Sequence, residues 1–256
     1  MFSTAERNRR HKAASEVMNN AGLSAIYLTG TGAPGSDAFG CYRYFVNGRV
    51  IFFLASVVLF RDDEPMAVVN NLMGKLNLIR NSFIGDALIN QDQLGGVIEI
   101  LKSHGVESGR VGILSEVIPA SWLMRLNEEL PNIEFVDVSE LLCAVRAVKS
   151  EEEVEVQRIC AKIADAGYMA VRDTIKPGMY ENEIVAEINR AMQRLGAEAS
   201  ITLIASGKSS AEKNGLPALH NYASSNRKIE KGDAVALSIA PCYMGYWTQL
   251  ESTICV

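Results

Sequence analysis

Paired cysteines are missing from this chain. Cys41, Cys143, Cys160, Cys242 and Cys255 are its five, odd in number and without a CxxC spacing, so neither a disulfide framework nor a zinc knuckle is implied. A reducing cytoplasm is the expected compartment. An excess of positive charge is missing too: 25 Lys and Arg stand against 30 Asp and Glu, for a net charge of -5. That balance argues against binding nucleic acid through its phosphates. No apolar run is long enough for a membrane span, because the most apolar stretch, Val50 to Phe60, is far short of the ~20 residues needed. It reads as a buried central strand. The basic run Arg7 to Lys12 is followed by a polar helix, so it is no signal peptide. Gly207-Lys208-Ser209 follows a strand, but the earlier Gly of a phosphate-binding loop would fall at Thr202 and is absent.

What is present suffices for two domains, since 256 residues at 48% hydrophobic content can bury two ordinary cores. Ser3 with Glu6 forms a capping box for a helix running to about Asn20, ended by Ala21-Gly22, with its basic residues on a solvated face. Ser24 to Leu28 reads as a strand, Thr29 to Gly40 as a loop, and Tyr42 to Asn47, Val50 to Arg61 and Ala67 to Asn70 as β-rich segments. Helices are expected at Leu94 to Ser103 and Ala120 to Leu130, and strands at Val111 to Leu114 and Ile133 to Val136. Alternating strands and helices predict an α/β layer structure.

The charge-rich passage Arg146 to Glu153 looks like the join. Ser150 and Glu153 form a second capping box, opening a long helix whose expected buried set is Val154, Ile159, Ile163, Ala166, Met169 and Ala170, ended by Pro177-Gly178. A second amphipathic helix, Glu181 to Leu195, and a strand, Ser200 to Ala205, lead into a polar loop holding His220, the only His of the second half. Arg227, Lys228 and Lys231 read as a solvated turn. A Lys231-Gly232-Asp233 turn then opens the apolar run Ala234 to Ala240, and after a Pro-Cys-Tyr-Met-Gly connection the alternating segment Tyr246 to Val256 follows, a hairpin with a longer loop. Side chains alternate across a strand, so Trp247, Gln249, Glu251, Thr253 and Cys255 share one polar face, and Leu250, Ser252, Ile254 and Val256 the other.

This order of elements, and the residues His220-Asn221, Gly232-Asp233, Pro241 and Gly245-Tyr246-Trp247-Thr248-Gln249-Leu250-Glu251-Ser252-Thr253, resemble the start of the pita-bread fold shared by methionine aminopeptidases, aminopeptidase P, prolidase and creatinase. The local match is closest to the creatinase branch. The resemblance implies an α/β N-terminal creatinase-type domain over residues 1–140, with a mixed sheet and flanking helices. A partial α+β pita-bread domain over residues 141–256 would follow it. It also implies that the catalytic fold continues past Val256, so that the chain is the N-terminal domain plus the first half of a catalytic domain and does not turn over substrate unaided.

In the metallopeptidase branch such a hairpin supplies two Asp ligands to a metal pair. The matching positions here are Ser238 and Gln249, which cannot bring that negative charge. The resemblance therefore implies no metal and no other cofactor. It makes His220 the general base and proton shuttle, a role that suits imidazole near neutral pH, and Glu251 the carboxylate that holds a planar guanidinium. Phe53, in Phe52-Phe53-Leu54-Ala55, matches an aromatic that creatinase brings to its substrate from the partner subunit; the basic residue that accompanies it there is absent. The function implied is hydrolysis of a C–N bond in a small guanidino or amide substrate by a homodimer, with no nucleic-acid or membrane partner. Two alternatives stay open: an inactive binding or assembly module of the same fold, and an Xaa-Pro-type metallopeptidase relative. Read without the resemblance, His220 is a solvated loop residue and Glu251 an exposed acid on an edge strand.

Overall fold

The computed structural model describes residues 2–30, 37–48, 55–207 and 224–256. Ser3 opens the first helix, α1 (Thr4–Ala21), by accepting from the backbone N–H of Glu6, and Gly22 closes it in the left-handed region at φ 64°. α1 does not keep all its basic residues in water: Arg10 is 1% exposed. Its guanidinium lies 4.2 Å from the Phe2 ring centre and 4.1 Å from that of Tyr44, and it donates to Glu6 at 2.6 Å and to the Tyr44 carbonyl at 2.7 Å. A charge satisfied on every side can be buried, which amphipathic patterning does not reveal.

The remaining elements of the first unit are β1 (Ala25–Gly30), α2 (Asp37–Val46), β2 (Ala55–Phe60), β3 (Met66–Val69), α3 (Leu72–Asn81), β4 (Asp86–Ile89), α4 (Gln93–Ser103), β5 (Gly109–Ile113), α5 (Ala120–Glu129), β6 (Ile133–Asp137) and α6 (Ser139–Ala147). The six strands form one sheet in the order β4-β3-β2-β1-β5-β6. It is mixed, as expected: β1 pairs antiparallel with β2 and parallel with β5. Alternation along β1 feeds two cores. Ile26 and Leu28 join residues of α1, α2 and α6 on one face, while Ala25 and Tyr27 join residues of α4 and α5 on the other. Each fully buried aliphatic contributes roughly 1.5–3 kcal/mol.

Four elements depart from the sequence reading. Tyr42 to Asn47, expected as a strand, lies largely in α2, where Cys41, Tyr42, Tyr44, Phe45 and Val46 are all buried. A helix covered all round shows no 3.6-residue stripe to distinguish it. The α3–β4 pair was not anticipated; α3 buries Leu78 while Leu72 and Met73 lie 59% and 74% exposed, so its pattern is not amphipathic in the usual sense. α6 was also unanticipated. It buries Leu142 in the first unit's core, and the chain divides between Ser150 and Glu151, inside the passage Arg146 to Glu153 read as the join and after the domain bound at residue 140.

The second unit, Glu151–Val256, is α+β: α7 (Glu151–Arg172), α8 (Glu181–Arg194), β7 (Ala199–Ser206), β8 (Ala234–Tyr243), β9 (Tyr246–Trp247) and β10 (Leu250–Cys255). β10-β8-β7 is antiparallel throughout, with β9 also on β8. Of the set expected to be buried on α7, Ile163 is, whereas Val154, Ile159, Ala166 and Ala170 are half-buried and Met169 is 48% exposed. The buried face runs through Val156, Cys160, Ile163, Gly167 and Val171. Two of these, Cys160 and Gly167, are small residues, which a search for large apolar ones overlooks. A Cβ on Gly167 would stand 2.9 Å from Met192 of α8, so the close helix approach requires the glycine. α7 stops at Arg172, ahead of Pro177. No helix among the described residues is long and apolar enough to cross a membrane.

Candidate functional site

The hairpin is tighter than its sequence implied. β8 runs through Pro241 and Cys242 to Tyr243, which pairs with Tyr246 across a two-residue turn. Met244 (φ 51°) and Gly245 (φ 82°) both have positive φ, the signature of a type I′ turn, whose twist matches the strands. One register holds from Cys242↔Trp247 to Leu250↔Ile239. The break between β9 and β10 falls opposite Ala240 and Pro241, and Pro241 has no N–H to give the ladder. Cys160 of α7 donates its thiol to the carbonyls of Pro241 and Tyr246, 3.3 Å each, and the Tyr246 hydroxyl donates to Glu153 at 2.6 Å.

The alternation of β8 and β10 separates two faces as expected. Val235, Leu237, Ile239, Leu250 and Ile254 pack into the core with α7 and α8. Ser238, Gln249 and Glu251 share the other face, where Glu251 lies directly opposite Ser238. Gln249 links them: its Nε2 donates to Ser238 Oγ and to Glu251 Oε1, 2.9 Å each. Ser238 is 2% exposed, while Gln249 and Glu251 face solvent. On the neighbouring strand Leu203 pairs with Ser238 and Ile201 with Ala240, adding an apolar flank to this face.

Two positions 11 apart in sequence, Ser238 and Gln249, thus meet on the open face, where a divalent cation would need lone pairs and negative charge. The residues do not fit one. Ser238 and Gln249 are neutral, and Gln249 turns an N–H toward both neighbouring oxygens. Among the described residues no cluster of three His, Cys, Asp or Glu has metal-ligand geometry. His220, Asn221 and Phe53, together with Lys208 and Ser209, lie outside the described residues.

A second constellation was not read from the sequence. Arg227, expected in a solvated turn, donates to Asp233 and to Ser206, 2.7 Å each, and its guanidinium holds the Asp233 carboxyl below the ordinary value. Glu181, at the start of α8, is 1% exposed and accepts from Ser206 and Ser225. The sequence signal was only a helix start after Pro177-Gly178; nothing local marks a carboxylate that bonds residues on two distant segments.

A helix-flanked mixed sheet, followed by two helices and an antiparallel sheet with one open face, defines a chain of pita-bread class. Residues 10–148 match the Creatinase/Prolidase N-terminal domain family and residues 155–256 match metallopeptidase family M24. The chain belongs to the creatinase/prolidase/aminopeptidase P superfamily. It is 29% identical to a creatinase of Bacillus sp. (strain B-0618), over 99% of this chain and 61% of that protein. To an Xaa-Pro dipeptidase of Pyrococcus horikoshii it is 30% identical, over 64% of this chain and 43% of that protein. The structure of a prolidase from Pyrococcus horikoshii OT3 superposes with a TM-score of 0.77 at 23% identity, covering 97% of this chain and 65% of that one. The chain therefore spans less than two thirds of these relatives.

Proposed function

We propose that this chain belongs to a creatinase-like hydrolase that cleaves a C–N bond in a small guanidino or amide substrate without a divalent metal. The observation that carries the reading is the Ser238–Gln249–Glu251 group, in which neutral Ser238 and Gln249 are joined to Glu251 by amide N–H bonds and bring no charge to hold a cation. The likeness to creatinase, which extends over both units, supports it. In this reading Glu251 accepts N–H donors of the substrate's planar cation, Gln249 holds the carboxylate in place, and Phe53 contributes an apolar contact. His220 takes a proton from water as the water oxygen bonds to the substrate carbon. The C–N bond then breaks and the imidazolium returns the proton to the departing nitrogen. A cytoplasmic homodimer acting on a small molecule completes the proposal, and light scattering at micromolar concentration checks its association.

The comparable identity to Xaa-Pro dipeptidase supports a second reading, a metallopeptidase. Metal content separates the two. Purified protein is expected to hold far less than one Mn, Co or Zn per chain by elemental analysis, and a form with a complete catalytic domain to keep its activity in chelator. Stoichiometric metal beside Ser238 would establish the peptidase reading instead.

A further inference from the structure

Two thiols from distant parts of the first unit meet beside one guanidinium. Cys41 lies in α2 and is buried, while Cys143 lies in α6 and is exposed. The two helices pack on each other. Arg146, one turn after Cys143, donates from Nη1 to Cys41 Sγ at 3.3 Å. Residues three apart share a side of a helix, so α6 carries Cys143 toward Cys41 together with Arg146. The two thiol side chains are joined by a hydrogen bond. Two further contacts hold this arrangement. Leu142, next to Cys143, is buried in the same core as Cys41, which fixes the rotation of α6. A Cβ on Gly40 would stand 2.5 Å from Arg146 Nη2, so the close approach of the guanidinium to α2 requires the glycine. Burial pushes the Cys41 thiol above its ordinary value, and the charge of Arg146 opposes that shift.

We propose that Cys41 and Cys143 are an oxidisable pair, which a hydroperoxide converts to an intramolecular disulfide. Cys143 meets the oxidant because it faces solvent. Its thiolate sulfur attacks one peroxide oxygen, the O–O bond breaks, and the departing oxygen takes the thiol proton to leave as an alcohol, or as water from hydrogen peroxide. A sulfenic acid stays on Cys143. Cys41 attacks that sulfur as a thiolate stabilised by the Arg146 guanidinium; the S–S bond forms, and the hydroxyl leaves as water with the Cys41 proton. The two thiols lose two electrons and two protons in all, and the peroxide gains them. Exchange with a small thiol reverses the bridge. The pair is independent of the hydrolytic reading, since it uses no residue of that site. Its bridge closes a loop of about 100 residues, the long-loop case in which a cross-link restricts the unfolded chain most.

Peptide mapping of the full chain tests this, after a few molar equivalents of hydrogen peroxide, alkylation of the remaining thiols in denaturant, and tryptic digestion. Cys41 falls in the peptide Ala13–Arg43 and Cys143 in Leu126–Arg146. Their summed mass less two hydrogens is expected, and dithiothreitol is expected to abolish it. Cys255, exposed in the second unit, is the reference thiol and is expected in no bridge. In Cys41→Ser the sulfenic acid on Cys143 persists and is trapped by dimedone. Arg146→Gln is expected to slow bridge formation about tenfold, as for a thiol one pH unit less acidic. The oxidised chain is expected to melt about 5 °C or more above the reduced one, and Cys143→Ser to show no such rise. Cys143 is exposed, so Cys143→Ser keeps the comparison valid should Cys41→Ser, cut into the core, fail to fold. Oxidation of Cys143 with Cys41 left free for alkylation overturns the proposal, as does a bridge from Cys143 to Cys255 or to a second chain. Equal rates in Arg146→Gln and wild type overturn the role given to Arg146.

Discussion

His220→Ala is expected to lower kcat by about 10²–10⁴-fold, the usual contribution of a positioned general acid–base group, with little change in KM. The variant loses the group that takes the proton from water and returns it to the leaving nitrogen, while the groups that bind substrate remain. Glu251→Gln is the complement. It keeps the shape and the bond from Gln249 but removes the charge, so KM for a cationic substrate is expected to rise about tenfold to a hundredfold with kcat less affected. Steady-state kinetics of the full-length protein measure both. A binding module of this fold would show neither effect, and equal losses in kcat from both variants would mean that the division of roles is wrong.

Glu6→Ala is expected to destabilise the first unit by about 3–5 kcal/mol, because it leaves the Arg10 guanidinium buried without this carboxylate. Arg10 is 1% and Glu6 3% exposed, and Arg9 also donates to Glu6 at 2.7 Å. A loss of that size lowers the melting temperature by roughly 10 °C or more in a unit this large, and denaturant or thermal unfolding of Met1–Val256 reads it. The pair is also pH-dependent. Burial acts to raise the Glu6 carboxyl, but the hydrogen bonds and charges of Arg9 and Arg10 together outweigh it and hold it below its ordinary value. Its contribution is therefore complete above the ordinary carboxylate pKa of about 4.3 and disappears as pH falls through the lowered native value. The gap between wild type and Glu6→Gln is expected to close over that acid range.

Local signals located what local physics controls. The Ser3 cap and the Gly22 stop set α1 within a residue or two, and the period-two alternation of Gln249, Glu251 and Thr253 told which face of the hairpin is polar. That Ser238 and Gln249 stand at the positions where the metallopeptidase branch has two carboxylates was legible once the hairpin was recognised, since antiparallel pairing sets Ser238 opposite Glu251 and makes Gln249, two residues before Glu251, its diagonal neighbour on the same face. Ile163 was expected on the buried face of α7 and lies there, but Cys160 and Gly167 were overlooked because close helix packing selects small residues, and small residues carry little hydrophobic signal.

By itself, the sequence determined the α/β-then-α+β order, the mixed first sheet, the superfamily and the neutral residues at the hairpin's two key positions. The order of elements follows from periodicity and caps; the mixed sheet, the superfamily and the meaning of the two hairpin positions follow from the family resemblance that the hairpin residues carry. Only the tertiary structure decided that Arg10 is buried between aromatic rings, that Tyr42 to Val46 is helical, and that Glu181 joins Ser206 to Ser225. Those outcomes depend on groups far apart in the chain: a charge is buried or solvated, and an aromatic run is helix or strand, according to what packs against it.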